Sequence, residues 1–138
     1  MMTVNQLKMQ NLAPRGIRAT CVPTSICFVT GVCYQDVEYL LMKEQPNTYR
    51  PDIQGNRGVR TEKFLGRKRV VFGHKFECVI SFPDTITLAG FLRRHTLGTY
   101  LVCKRGHAFV VKDGEVFDLG NYDYSDTLFF AWKVEKVS

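Results

Sequence analysis

No stretch of this sequence approaches the roughly 18–20 consecutive apolar residues that a membrane-spanning helix requires, and its first residues, "MMTVNQLKMQNLAPRG", hold no apolar run of signal-peptide length. These absences argue against a helical membrane protein and a secreted precursor, and the expectation is a soluble cytoplasmic protein with no membrane partner. Internal repeats, low-complexity tracts and long Gly/Ser or Pro linkers are also missing, which removes solenoids and tethered multidomain chains from consideration. A chain of 138 residues is then expected to fold as one domain, 1–138, around one core. The five cysteines, Cys21, Cys27, Cys33, Cys78 and Cys103, are odd in number and contain no C-x-x-C pair, which argues against a disulfide framework and a zinc site. No metal or other cofactor is expected. Cys27, Cys33, Cys78 and Cys103 sit among apolar neighbours and read as small buried hydrophobes, whereas Cys21 does not.

Acidic residues are the scarcer charge, 13 against 19 Lys and Arg, for a net charge of +6. That balance favours an acidic partner without identifying it. Residues 57–75, "RGVRTEKFLGRKRVVFGHK", concentrate the excess, with one acidic residue, Glu62, among seven Lys and Arg. They read either as a solvated edge that discourages strand pairing or as a surface for an anionic partner made by Arg57, Arg60, Lys63, Arg67, Lys68 and Arg69. Phosphates of a nucleic acid and carboxylates of an acidic protein both fit such a surface, and Arg93, Arg94, Lys104 and Arg105 add to the same sign.

The chain divides by its punctuation. "CVPTSICFVT", residues 21–30, reads as a helix with Pro23 in its first turn and Gly31 as its stop. A second helix follows over "YQDVEYLLMKEQ", where Val37, Leu40 and Leu41 share a face and Pro46 ends the segment. Residues 46–60 are polar, Pro- and Gly-bearing loop, and a short helix is expected over "TEKFLG". From residue 68 onward the pattern becomes short β-branched and aromatic runs, "RVVFG" and "HKFECVISF", interrupted by an amphipathic segment, "DTITLAGFLRRHTLG", with Leu88, Phe91 and Leu92 on one stripe. "TYLVCKR", "HAFVVK", "EVFDLG" and "LFFAWKVEKV" are then expected to form an antiparallel meander. The class is α+β, helices first and sheet last.

Asp113 and Gly114, between two alternating runs, signal a two-residue type I′ turn, because both positions require φ > 0. Counting back from that turn pairs Lys112 with Glu115, Val111 with Val116, Val110 with Phe117 and Phe109 with Asp118, which places His107 and Asp118 on one face as diagonal neighbours about 7–8 Å apart. A carboxylate at the edge of an apolar face has reason to be paired and to orient a ring nitrogen. Cys21 opens a helix, where unsatisfied N–H groups and the positive end of the helix dipole favour a thiolate. Cys21 as nucleophile, His107 as base and Asp118 as orienter is therefore the candidate constellation, with a cleft between the helical half and the sheet half.

The stretches "ATCVPTSICFVTG", "GTYLVCKRGHAFVV" and "DGEVFD", with the second helix "QDVEYLL", resemble the papain-like cysteine peptidase superfamily over roughly two thirds of the chain. The resemblance is strongest to small bacterial and phage forms related to the leader-cleaving peptidase domains of bacteriocin transporters. It implies an amino-terminal helical part packed on an antiparallel sheet, and acyl transfer through a thioester at Cys21 with His107 relaying the proton and Asp118 holding the ring. One position departs: Arg15 stands where the family usually carries a glutamine that helps bind the oxyanion. The candidate oxyanion donors are therefore Gln10, Asn11 and Arg15, and losing such a donor costs a hundredfold or more in rate. The expected function is a thiol-dependent hydrolase, a cysteine peptidase or isopeptidase on a peptide or protein substrate, with an acyl transferase sharing the same triad. The alternative is a catalytically silent module of the same kind that binds nucleic acid or an acidic protein through residues 57–75.

Overall fold

The structure is a computed structural model that describes residues 3–13, 20–49 and 59–137. Helix α1 (Val4–Leu12) is followed by α2 (Cys21–Thr30), α3 (Tyr34–Glu44) and the single turn α4 (Thr61–Leu65). The sheet half comprises β1 (Lys68–Val71), β2 (His74–Thr87), α5 (Leu88–Arg94), β3 (Thr99–Lys104), β4 (His107–Lys112), β5 (Glu115–Phe117) and β6 (Thr127–Lys136). The α+β class and its helices-first order are as the sequence indicates. Most of the polar 46–60 loop falls outside the described residues.

Helix α1 has no apolar stripe, and only Gln6 and Met9 of it are buried. Its start is set by a capping box: Thr3 Oγ1 accepts from the Gln6 N–H at 3.1 Å, and Gln6 Oε1 accepts from the Thr3 N–H at 2.8 Å. Helix α2 is buried over Val22 to Cys27 and ends at Gly31, whose φ of 75° is the left-handed value glycine adopts without strain. Asp84 to Thr87, expected to begin an amphipathic helix, instead extend β2. Helix α5 starts only at Leu88, where Thr87 Oγ1 accepts from the Gly90 N–H at 3.1 Å.

The strands form one antiparallel sheet in the order β1-β2-β6-β3-β4-β5. The expected meander holds for β3, β4 and β5 only, because β6 inserts between β2 and β3. The reason lies in the apolar run of β6: Leu128 and Ala131 are buried on the face that α5 covers, and Trp132 and Val134 on the face that α2, α3 and α4 cover. A strand buried on both faces belongs at the centre of a sheet. The Trp132 indole N–H also donates to the Gly66 carbonyl at 2.8 Å, tying β6 to the end of α4.

Ile26 is fully buried in α2 and packs in the cluster that includes Leu101, Ala108 and Trp132 of the sheet. Truncating it leaves a cavity as well as lost apolar burial, so Ile26→Ala is expected to lower unfolding free energy by about 2–5 kcal/mol. Urea titration checks this: the midpoint should fall with an unchanged slope, and an unshifted midpoint would contradict the placement of α2.

Candidate active site

The type I′ turn forms where expected, with φ of 50° at Asp113 and 79° at Gly114. The register also holds from Lys112↔Glu115 through Val110↔Phe117. Pairing then stops, and Phe109, Ala108 and His107 of β4 have no ladder partner on that side. The break decides the site. In a two-residue hairpin the partner residues alternate between bonded and non-bonded pairs, so a longer β5 would have brought the Leu119 carbonyl to the Ala108 N–H. That N–H is left outside the ladder on the side of Cys21, where it helps to lower the thiol.

His107 and Asp118 do share a face. His107 Nε2 and Asp118 Oδ1 are 2.5 Å apart, and the Gly120 N–H donates to the same oxygen at 3.1 Å. With Nε2 committed to the carboxylate, the other ring nitrogen is left for the thiol, and Cys21 and His107 lie close enough to shift each other's pKa. The Asp118 side chain is wholly buried while that of His107 is 24 % exposed, so the ring is the face that the pair shows to solvent. Phe109 stacks beside it at a centroid distance of 6.1 Å.

Opposing influences set the protonation of the pair. Burial is the largest influence on Cys21 and raises its pKa. The hydrogen bond from His107, the Ala108 N–H, the charge of His107 and the Val22 N–H together outweigh it and hold the thiol below its ordinary value. Burial likewise lowers His107, but the Asp118 and Cys21 hydrogen bonds and charges prevail, pushing it up to about 9. The two shifts together favour a thiolate facing an imidazolium over the neutral pair. Cys27 and Cys103 are pushed the other way by burial, each up to about 12, and Cys78 is raised as well. Cys33 differs from the sequence expectation, being exposed at the start of α3.

Cys21 opens into a cleft of about 320 Å³ between the two halves of the chain. Val22, Val59, Phe129 and Phe130 give it apolar walls, and Thr61, Glu62, Lys104 and Arg105 a polar margin. Lys104 is paired with Asp126 at 2.8 Å. The volume is at the lower end of the range for ligand-binding pockets.

The other predicted residues are dispersed. Gln10 and Asn11 do not line the cleft: Gln10 Nε2 donates to the Leu119 carbonyl at 3.4 Å, and Asn11 is exposed on α1. Arg15 and Arg57 lie outside the described residues. Arg60 and Lys63 border a separate hollow of about 260 Å³ beside Glu44 and Thr48, and Arg67 lines a third with Asp84 and Arg94. Arg69 is engaged within the fold, its guanidinium bidentate to Glu44 at 2.7 and 2.6 Å and 4.4 Å from the Phe64 ring centroid. Lys68 is exposed on the edge strand β1. The sequence reasoning missed the Ala108 N–H and the amide side chains of α1, although "TVNQ" carries the T-x-x-Q capping signature that marks where that helix starts.

No family model matches this chain, and neither the curated proteins nor the solved structures contain a match to it. Among the described residues no helix is long and apolar enough to cross a membrane.

The pair's ionisation gives a pH test. Alkylation of Cys21 by iodoacetamide should begin below the ordinary thiol range and show a second step near 9 as His107 loses its proton. Asp118→Asn removes the carboxylate charge, so the upper step should fall toward the usual imidazole value of about 6.5 while the lower step rises, narrowing the ion-pair window from both ends. Mass-spectrometric rates across pH measure both steps, and an upper step that stays in place would contradict the role given to Asp118.

Proposed function

We propose that the protein is a thiol-dependent hydrolase of the papain-like kind, cleaving a peptide or isopeptide bond through a thioester. The observation that carries this reading is the alignment, at the mouth of one cleft, of a depressed thiol, an imidazole raised to about 9 and a buried carboxylate. Nucleophile, base and orienter in hydrogen-bonded sequence are what acyl transfer requires.

The Cys21 thiolate attacks the carbonyl carbon of the scissile bond. The carbonyl π electrons move to oxygen, and the tetrahedral oxyanion collapses as the C–N bond breaks. The His107 imidazolium gives its proton to the departing amine, leaving a Cys21 acyl thioester and a neutral ring. A water then loses a proton to His107 and adds to the thioester, releasing a carboxylic acid and restoring the thiolate and imidazolium. An amine in place of that water would complete an acyl transfer by the same route. Asp118 keeps Nε2 occupied, so both proton transfers run through the ring nitrogen facing the sulfur.

A Cys21→Ala variant is expected to lose at least about a thousandfold in kcat/KM on a peptide thioester or ester probe, in line with removal of a nucleophile from a triad. An electrophilic peptide probe at neutral pH should modify Cys21 ahead of Cys27, Cys33, Cys78 and Cys103. Equal labelling of all five, or undiminished turnover by Cys21→Ala, would overturn the assignment.

A further inference from the structure

Helix α1 packs across the end of the sheet, with Met9 buried against Val110 and Phe117. Three of its amide side chains point at one segment of backbone. Asn5 Nδ2 donates to the Val116 carbonyl at 3.1 Å, Gln10 Nε2 to the Leu119 carbonyl at 3.4 Å, and Gln6 Nε2 to the Gly120 carbonyl at 2.9 Å and to Asn121 Oδ1 at 3.3 Å. That segment contains Asp118 and runs from within β5 past its last paired residue, Phe117. Gln6 is the central contact and is itself buried. Its Oε1 is held by the Thr3 N–H, which fixes the amide so that its NH₂ faces Gly120. The N–H of Gly120 in turn donates to the Asp118 oxygen that receives His107.

We propose that α1 is an amide clamp in which Gln6 acts as a positioning residue for the carboxylate and imidazole, holding the Gly120 peptide so that its N–H and His107 meet the same oxygen of Asp118. The inference rests on the triad reading above. Two physical arguments carry it. Backbone carbonyls on the open side of an edge strand and beyond its last pair must be satisfied outside the ladder, and here the side chains of one helix satisfy those of Val116 in β5 and of Leu119 and Gly120 beyond it. A buried glutamine is expensive unless its amide is paired, so its retention under α1 is explained by the pairing it makes. Gln10, an oxyanion candidate by sequence, belongs to this clamp.

The test is the alkylation pH profile of Cys21 in the full chain. Gln6→Met keeps side-chain size and removes both donors, and the upper step should fall by about one unit from its wild-type position near 9, with a parallel tenfold loss of kcat and an unchanged KM. The other titratable or charged groups near the pair, Cys21 of α2, Lys104 with Asp126, and Tyr122 after Asp118, are untouched by the substitution. Leu41→Ala, a core truncation in α3, supplies the structural control: it should lower the melting temperature and leave the step in place. The double variant Asn5→Ala/Gln10→Ala, which alters side chains at the surface of α1, should lower the step by about half as much and serves if Gln6→Met does not fold. An upper step that remains at the wild-type position in these α1 variants, while only melting temperature falls, would overturn the clamp and leave the triad standing. A wild-type Cys21 without a depressed ionisation would overturn the triad and the clamp together.

Discussion

The site depends on a strand pair that stops early. β4 and β5 are matched from the Asp113–Gly114 turn to Val110↔Phe117, and there the ladder ends. Continued by two residues, it would have consumed the Ala108 N–H in an ordinary sheet bond and withdrawn its influence on the Cys21 thiol. The interruption therefore moves a backbone N–H from a structural role to one that favours the ionised form of Cys21. It also frees the residues after Phe117 to turn, so that the Gly120 N–H reaches back to Asp118. The carbonyls released by the same break are taken up by α1, so the cost of ending the ladder is met within the fold.

Burial is the strongest single influence on both Cys21 and His107, and for both it favours the neutral form. The charged forms are favoured because each group acts on the other through hydrogen bonding and opposite charge, and because Asp118 adds a further negative charge on the far side of the ring. Raising an imidazole from 6.5 to about 9 corresponds to a differential stabilisation of its charged form on the order of 3 kcal/mol. That is comparable to what a few charge-assisted hydrogen bonds supply in a partly desolvated site. The same enclosure makes the arrangement brittle. Removing any one charge leaves the remaining groups desolvated without compensation, which is why substitution at Asp118 is expected to act on both steps of the titration.

Local chemistry was legible and long-range placement was not. Asp113-Gly114 announces a turn whose geometry has few solutions, and a period-2 pattern then dictates the register, so the pairs from Lys112↔Glu115 to Val110↔Phe117 followed from counting, whereas His107 and Asp118 meet beyond the point where that ladder ends. Cys21 could be located at a helix start because Pro23 and Gly31 bracket that helix. Helix α1 was invisible to apolar periodicity because it docks through amides, with Met9 its one buried hydrophobe. The centrality of β6 was set by packing on both faces, a property of the assembled sheet, although its apolar run hinted at it. The extension of β2 through Asp84 to Thr87 depends on pairing with β6, including Thr87↔Thr127 and Ile86↔Leu128, which no local propensity encodes. Arg69 illustrates the same limit: in the sequence it is one cation of a basic run, and in the fold Glu44 and Phe64 claim it.

The amino terminus of α2 also bounds what the proposed chemistry can draw on. A helix begins with N–H groups that lack intrahelical partners. Here the Thr24 N–H already returns to the Thr20 carbonyl at 2.9 Å, and Pro23 has no N–H to give. Cys21 and Val22 are left as the donors of the first turn. The Val22 N–H helps to lower the Cys21 thiol, and under the proposed mechanism the Cys21 N–H is the other backbone donor of this turn to consider for the oxyanion. A single preorganised donor is worth about a hundredfold in rate, and a second must come from outside this helix. Pro23 therefore does more than start the helix without strain: it removes one N–H from the first turn, so that the backbone donors the proposed chemistry can draw on there are those of Cys21 and Val22.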